Sequence, residues 1–156
     1  MGFIIFSKKL VERKEVLKSF VEVAYNIGAR FDIQESNLSL DERKQMDIDF
    51  ILSKNNDDVN EYFTFGIHSE DEVRKTSELL DLKIGKYYGI AGTDHDKFPF
   101  LMYLIGKEYL KLNPEHILSA NGDTFFTKVD FDKMEQRNGY FNEWCYQDLP
   151  WQNEST

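Results

Sequence analysis

The sequence is poor in cysteine, proline and basic side chains, and each shortage excludes a class of protein. Its only cysteine among 156 residues is Cys145, so an intramolecular disulfide cannot form, which is typical of proteins from a reducing compartment. Three prolines and nine glycines exclude a collagen-like chain or a proline-rich linker. The 28 acidic side chains outnumber 19 basic ones, and the net charge of −9 argues against a general nucleic-acid-binding protein, which needs a basic surface.

Long hydrophobic runs are also missing from the sequence. The apolar run Phe3 to Phe6 is too short for the hydrophobic region of a signal peptide, and no window approaches the ~20 apolar residues that span a bilayer. We therefore expect a cytoplasmic protein with no membrane partner. The chain length and the 15% aromatic content predict a single globular domain over residues 1–151, followed by a frayed C-terminus at residues 152–156.

The first elements of the chain are predicted from its hydrophobic spacing. The run Phe3 to Phe6 predicts a short buried strand. Apolar residues three and four apart then predict a helix over about residues 8–27, with Ser7 as its N-cap and Gly28 as its C-terminal cap.

Two segments with alternating polarity predict a β-hairpin. Residues 46–53 and 62–68 alternate apolar and polar side chains, and a polar stretch, Lys-Asn-Asn-Asp-Asp, lies between them. The apolar residues of both strands would face the core: Met46, Ile48, Phe50, Leu52, Phe63, Phe65 and Ile67.

The second half of the chain predicts further helices and a second hairpin. Gly106 lies inside the most apolar predicted helix. A glycine there lowers helix stability by ~1 kcal/mol relative to alanine, so its presence indicates that the backbone packs closely against a neighbour. The whole order predicts the α+β class, a single compact domain with a mixed or antiparallel sheet and two hairpins packed by about three helices. The elements are a helix from the Ser69–Glu72 capping box to about Lys83, a strand over 86–91, a helix over 96–112, a hairpin turn at Asn121-Gly122 and a helix near 130–137.

The negative charge is concentrated in residues 32–72, which carry twelve acidic and three basic side chains. A solvated face that keeps the protein soluble is the ordinary explanation of such a block. The alternative is a surface for a basic protein partner, in which carboxylates beside tyrosine bind Lys or Arg. The residues of this predicted surface are Asp47, Asp49, Asp57, Asp58, Glu61 and Tyr62.

No strong catalytic motif occurs in the sequence. A Walker-type phosphate loop, a G-x-G-x-x-G loop, an H-E-x-x-H helix, a G-x-S-x-G elbow and paired C-x-x-C motifs are all missing. We therefore expect a non-enzymatic binding protein without a cofactor, whose acidic surface engages a basic protein partner. Immunity proteins that neutralise basic toxins are small, acidic proteins of this general kind.

The alternative function is a small metal-assisted hydrolase with its site at Asp94, His95 and Asp96. These residues lie between a predicted strand and a predicted helix, and two carboxylates beside an imidazole can bind a divalent metal or move protons. Helix capping by Asp94 or Asp96 is the competing explanation, because Asp is a preferred N-cap. A second metal arrangement combines His68, Glu70, Asp71 and Asp47, with a strand end and a capping box as its ordinary explanation.

The C-terminal segment is dense in aromatic residues. These side chains could complete the core, or they could form an exposed interface through which the protein makes a homodimer. Cys145 lies between two of them, and we expect a buried, inert thiol. The aromatic residues are Tyr140, Phe141, Trp144, Tyr146 and Trp151.

Overall fold

The described residues form an α+β fold built on a six-stranded antiparallel sheet, with a separate two-stranded pair, Asp81–Leu82 with Gly85–Lys86. The computed structural model describes residues 2–33, 48–68, 81–82, 85–120, 123–137, 139–146 and 149–153. Within these residues the elements are β1 (Ile4–Ser7), α1 (Arg13–Ile27), β2 (Arg30–Ile33), β3 (Ile48–Asn56), β4 (Val59–Ile67), β5 (Asp81–Leu82), β6 (Gly85–Lys86), β7 (Tyr88–Thr93), α2 (Pro99–Leu112), β8 (Ile117–Ser119), α3 (Lys128–Arg137) and a 3-10 turn (Pro150–Asn153). This confirms the predicted fold class, a single compact α+β fold.

The sheet has six strands in the order β2-β3-β4-β7-β1-β8, and every neighbouring pair is antiparallel. Phe20 of α1 packs on the sheet, with its ring centroid 4.9 Å from Phe50 and 4.7 Å from Phe65. Tyr109 of α2 stacks on Phe20, with the two ring centroids 4.9 Å apart. The two helices therefore share one apolar cluster with the inner face of the sheet. No helix in the described part of the chain is long and apolar enough to cross a membrane.

The β3–β4 hairpin confirms the predicted alternation. Ile48, Phe50 and Leu52 are buried on β3, and the phenylalanines of β4 are fully buried opposite them. The strands are longer than predicted, because only Asp57 and Asp58 form the loop. Both have positive φ, 47° and 68°, as a two-residue turn of type I′ requires. Asx residues tolerate this left-handed conformation better than most side chains.

The predicted start of α1 is wrong. The helix begins at Arg13 rather than near residue 8, and its N-cap, Glu12, makes no side-chain capping bond. Ser7 is instead the last residue of β1, where its hydroxyl donates to the Lys9 carbonyl at 2.8 Å and accepts from the Lys9 amide at 3.2 Å. A Ser side chain can close a turn in the same way as it caps a helix, and here it closes the turn.

Two further predictions fall wholly or partly outside the described residues. The predicted Ser69–Glu72 capping box and most of the predicted helix after it lie outside the described residues. A helix as far as Lys83 is wrong, because Asp81–Leu82 is a strand paired with Gly85–Lys86. The Asn121-Gly122 turn also lies outside the described residues. Of the strand pairing predicted around this turn, the described residues show a single bridge, in which Leu118 and Phe126 exchange backbone hydrogen bonds of 3.0 and 2.8 Å. A two-residue turn would pair Leu118 with Phe125 instead, so the predicted register is wrong.

Close packing explains the glycine inside α2. A Cβ atom on Gly106 would lie 2.8 Å from Cζ of Phe131 and 3.1 Å from Cδ2 of Leu118. Phe131 belongs to α3 and is 1% exposed, so its ring has little room to move. The glycine therefore lets α2 approach α3 and β8, as its position in the sequence indicated.

The C-terminal segment completes the core. Trp144 is fully buried, and its Nε1 donates a 2.8 Å hydrogen bond to the carbonyl of Pro99, at the start of α2. Trp151 donates from Nε1 to Asp130 Oδ1 at 2.8 Å, and Asp130 also caps the start of α3 by accepting from the Thr127 amide. Gln152, the first residue of the predicted frayed terminus, accepts from the Leu149 amide at 2.7 Å, and residues 154–156 lie outside the described part.

Candidate functional site

The acidic surface predicted from the sequence is partly brought together by the hairpin. Asp57 and Asp58 lie at its tip and are exposed, and neither forms an ion pair with another described residue. Asp49 and Tyr62 are exposed on the outer face of β3 and β4. Asp47 lies outside the described residues.

Glu61 is placed differently from the other predicted surface residues. It is 8% exposed and lies on the inner side of β4, because it has the same strand parity as Phe63 and Phe65. Its Oε2 accepts a 3.2 Å hydrogen bond from Nδ2 of Asn56. A partner that binds the outer face of the hairpin therefore cannot contact this carboxylate in the present arrangement.

The remaining acidic residues spread along the hairpin rather than forming one cluster. Asp49 and Asp57 are eight residues apart on an extended strand, and at ~3.3 Å per residue this is a span of roughly 26 Å. Tyr62 lies about halfway along, opposite Ser53. The surface is thus an elongated stripe with its densest charge at the tip.

Asp94 ends the pairing of β4 with β7. Its backbone amide donates to the Thr64 carbonyl at 3.2 Å, and its Oδ1 accepts from the Thr64 amide at 3.2 Å. The carboxylate thus occupies the place that a backbone carbonyl would take in the next step of the ladder. The capping explanation for Asp94 and Asp96 is wrong, because α2 begins at Pro99 with Phe98 as an N-cap that makes no side-chain capping bond.

His95 lies in an aromatic enclosure. Its ring stacks on Phe63 with centroids 5.0 Å apart and contacts Tyr62 and Phe98 edge-on at 5.3 and 5.4 Å. Nδ1 accepts a 3.1 Å hydrogen bond from the Lys97 amide, while Nε2 is buried without a hydrogen-bond partner. Asp94 Oδ1 is 3.6 Å from Nε2, beyond hydrogen-bond distance. Two candidates that the sequence suggested separately, Tyr62 and His95, are therefore neighbours.

The described residues include no group of three or more His, Cys, Asp and Glu side chains placed to hold a metal ion. Of the second metal arrangement only His68 is described, and its amide donates to the Ile90 carbonyl at 3.0 Å. The metal hypothesis for Asp94, His95 and Asp96 stays a prediction, which native mass spectrometry after metal addition would test.

The C-terminal segment extends this region of the surface. Tyr146 is 43% exposed, and its hydroxyl donates a 2.9 Å hydrogen bond to the carbonyl of Asp96. Burial is the main cause that raises the pKa of Tyr146 to about 12, and Cys145, Asp96 and Glu143 contribute to the rise. This contact could not be predicted from the sequence, because the two residues lie 50 positions apart in the chain.

A polar cleft of about 480 Å³ lies beside the half of the hairpin nearest its tip, where Asn55 pairs with Asn60. Its two cations already bind groups of the chain. Lys54 Nζ donates to the carbonyl of Ile27 at 2.7 Å, and Arg30 Nε lies 2.9 Å from Asp32 Oδ2. Lys54 thus compensates the partial negative charge at the carbonyl end of α1. The residues that line the cleft are Gly28, Arg30, Ser53, Lys54, Asn55 and Asn60.

Among the residues that the structure describes, the buried groups Cys145, His116 and Tyr109 do not form a catalytic pair with an open site. Burial raises the pKa of the Cys145 thiol to about 12, as expected of an inert thiol. His116 is 2% exposed, and its Nδ1 lies 3.0 Å from the hydroxyl of Tyr109, which is 1% exposed. Burial lowers the pKa of His116, although Glu115 opposes the shift. The contact between His116 and Tyr109 depends on the packing of the turn after α2.

Comparison with known proteins returns no match, since no protein-family model, no curated protein and no solved structure is similar to this chain.

Proposed function

We propose that the protein is a non-enzymatic binding protein that uses the acidic surface of residues 32–72 to engage a basic protein partner. The observation that carries the proposal is the hairpin tip, where Asp57 and Asp58 are exposed and form no ion pair with another described residue. Neutralisation of a basic toxin by an immunity protein is one role of this kind.

The geometry of the tip supports this role. β2 pairs with residues 50–53 of β3, and β7 pairs with residues 65–67 of β4, so the tip extends beyond the rest of the sheet. The two-residue turn holds the carboxylates on a short loop between paired strands, so little conformational entropy is lost when a partner binds them. Opposite charge on a partner would speed association and fix its orientation.

The conformation of the turn determines which substitutions test the proposal. Asp57 and Asp58 have positive φ, so reversal to Lys would add backbone strain to the change of charge. Asn keeps the shape of the side chain and tolerates the same conformation. The double variant Asp57→Asn/Asp58→Asn therefore removes two charges and leaves the turn intact.

An affinity capture from the native cell extract tests the proposal. The wild-type protein should retain a basic protein, identified by mass spectrometry, and the double variant should retain much less of it. A matched control is Glu12→Gln/Glu22→Gln, which removes two exposed carboxylates from the start and outer face of α1. Equal capture of the basic protein by wild type and tip variant, or equal loss in the control, would contradict the proposal.

A further inference from the structure

Exposed rings and carboxylates meet where the β7–α2 connection faces the C-terminal segment. Tyr62 is 42% exposed, and its ring lies 5.6 Å from Phe98. Tyr146 is 43% exposed and is held by the carbonyl of Asp96. We call this the aromatic–acidic surface, and it consists of Tyr62, Asp94, Asp96, Phe98, Glu143 and Tyr146.

The charge of this surface is negative. Asp94 and Glu143 are exposed, Asp96 is half-buried, and Lys97 is the cation of the 94–98 segment. Both Tyr140 and Tyr146 have a raised pKa, mainly through burial, and Glu143 adds to the rise at each. Glu143 and Tyr146 share one backbone turn, in which the Tyr146 amide donates to the Glu143 carbonyl at 3.2 Å.

We propose that the aromatic–acidic surface binds an arginine side chain of the basic partner. A guanidinium is planar, so it can stack on an exposed tyrosine ring while its N–H groups donate to neighbouring carboxylates. An ammonium lacks the planar fork and is more strongly hydrated, so arginine fits this chemistry better than lysine. The inference rests on the proposed function for the basic character of the partner, and it adds a second contact region next to the hairpin.

A nuclear magnetic resonance titration tests the inference directly. The probe is a hexa-arginine peptide, with a hexa-lysine peptide for comparison, added to the ¹⁵N-labelled full chain. We expect the largest shifts in residues 94–98 and 140–146, and tighter binding of the arginine peptide. Glu143→Gln/Tyr146→Ala should raise the Kd about fivefold, because one carboxylate and one ring are lost.

Three further variants separate the alternatives. Glu22→Gln/Tyr25→Ala is the matched control, since it removes one exposed carboxylate and the 86% exposed tyrosine of α1, and its Kd should stay within about twofold of wild type. Tyr146→Phe should bind nearly as well as wild type, because the ring rather than the hydroxyl contacts the guanidinium. Asp57→Asn/Asp58→Asn should leave the shifts at residues 94–98 unchanged.

The outcomes distinguish this inference from the proposed function. Binding by Glu143→Gln/Tyr146→Ala that equals wild type overturns the inference, as does an equal loss in the control on α1. Shifts confined to the hairpin tip also overturn it, while they agree with the proposed function. A failure to capture any basic partner would contradict the proposed function even if the arginine peptide binds the aromatic–acidic surface.

Discussion

Replacement of Trp144 by alanine should strongly destabilise the protein. Full burial of a large aromatic side chain removes about 250 Å² from water, which at about 25 cal/mol per Å² corresponds to about 6 kcal/mol. Trp144 is 0% exposed and contacts Phe3, Phe126 and Phe131. Because alanine keeps part of the burial and the cavity relaxes only in part, we expect the free energy of unfolding to fall by about 3–5 kcal/mol.

A smaller substitution keeps this prediction testable if Trp144→Ala does not fold. Trp144→Phe retains a ring but loses the Nε1 hydrogen bond to the Pro99 carbonyl, so we expect a loss of about 1–2 kcal/mol. Phe141→Ala is the control in the same segment, because that side chain is 37% exposed, and its change should stay below about 1 kcal/mol.

Urea unfolding followed by far-ultraviolet circular dichroism measures these changes without relying on tryptophan fluorescence. The molar mass of the same samples should be measured by light scattering, because a homodimer through the aromatic segment is the competing hypothesis. If the free energy of unfolding of Trp144→Ala lies within about 1 kcal/mol of the wild-type value, the segment is not part of the core. A fall in mass without a fall in stability would assign it to an interface between two copies.

Three further predictions concern stability and pH. Gly106→Ala should lower the free energy of unfolding by about 1–2 kcal/mol despite its better helix propensity, because the new Cβ would lie 2.8 Å from Phe131 Cζ, and an unchanged or higher stability would contradict this packing. Lys54→Met should lower stability by about 0.5–1 kcal/mol by removing the ammonium that binds the Ile27 carbonyl, and an unchanged urea midpoint would contradict that role. The lowered pKa of His116 means that the unfolded chain binds its proton at a higher pH than the folded protein. Stability should therefore fall as the pH drops below about 6.5 toward the folded pKa, and His116→Gln should reduce the difference in urea midpoint between pH 7.5 and 5.5. The same pH dependence in that variant would assign the effect to other groups.

The elements with strong periodicity could be predicted from the sequence. The alternation around Phe50 and Phe65 identified the hairpin and its inner face, and the glycine in α2 correctly indicated close packing. Both signals are local, since they depend on residues within one strand or one helix. The sheet order could not be predicted, because β4 pairs with β7 and β7 with β1 through contacts that no local pattern specifies.

The errors concern side chains that can serve two structures. Ser7 closes a turn instead of capping a helix, and Asp94 replaces a carbonyl in the sheet instead of capping α2. In both cases the residue type was informative about hydrogen bonding but not about which amide would be its partner. Glu61 was assigned to the loop and strand edge because the predicted strand began at residue 62, whereas β4 begins at Val59 and places Glu61 on the same face as Phe63.

The candidate site was predictable only as separate parts. Asp57 and Asp58 were found from the charge block, and Tyr62 from the alternation of its strand. The proximity of Tyr62 to His95, and of Tyr146 to Asp96, depends on tertiary packing between segments far apart in the chain. A single sequence carries no signal for such contacts, so the aromatic–acidic surface emerged only from the structure.

The central claim, that the acidic hairpin tip engages a basic partner, is tested most directly by the association rate constant as a function of ionic strength. Stopped-flow measurements with the captured partner would compare the wild-type protein with Asp57→Asn/Asp58→Asn. At low salt the association rate constant of the variant should be about three- to tenfold lower than that of the wild type. The two rate constants should converge as salt screens the charges. Identical rates and identical salt dependence in both proteins would contradict the claim.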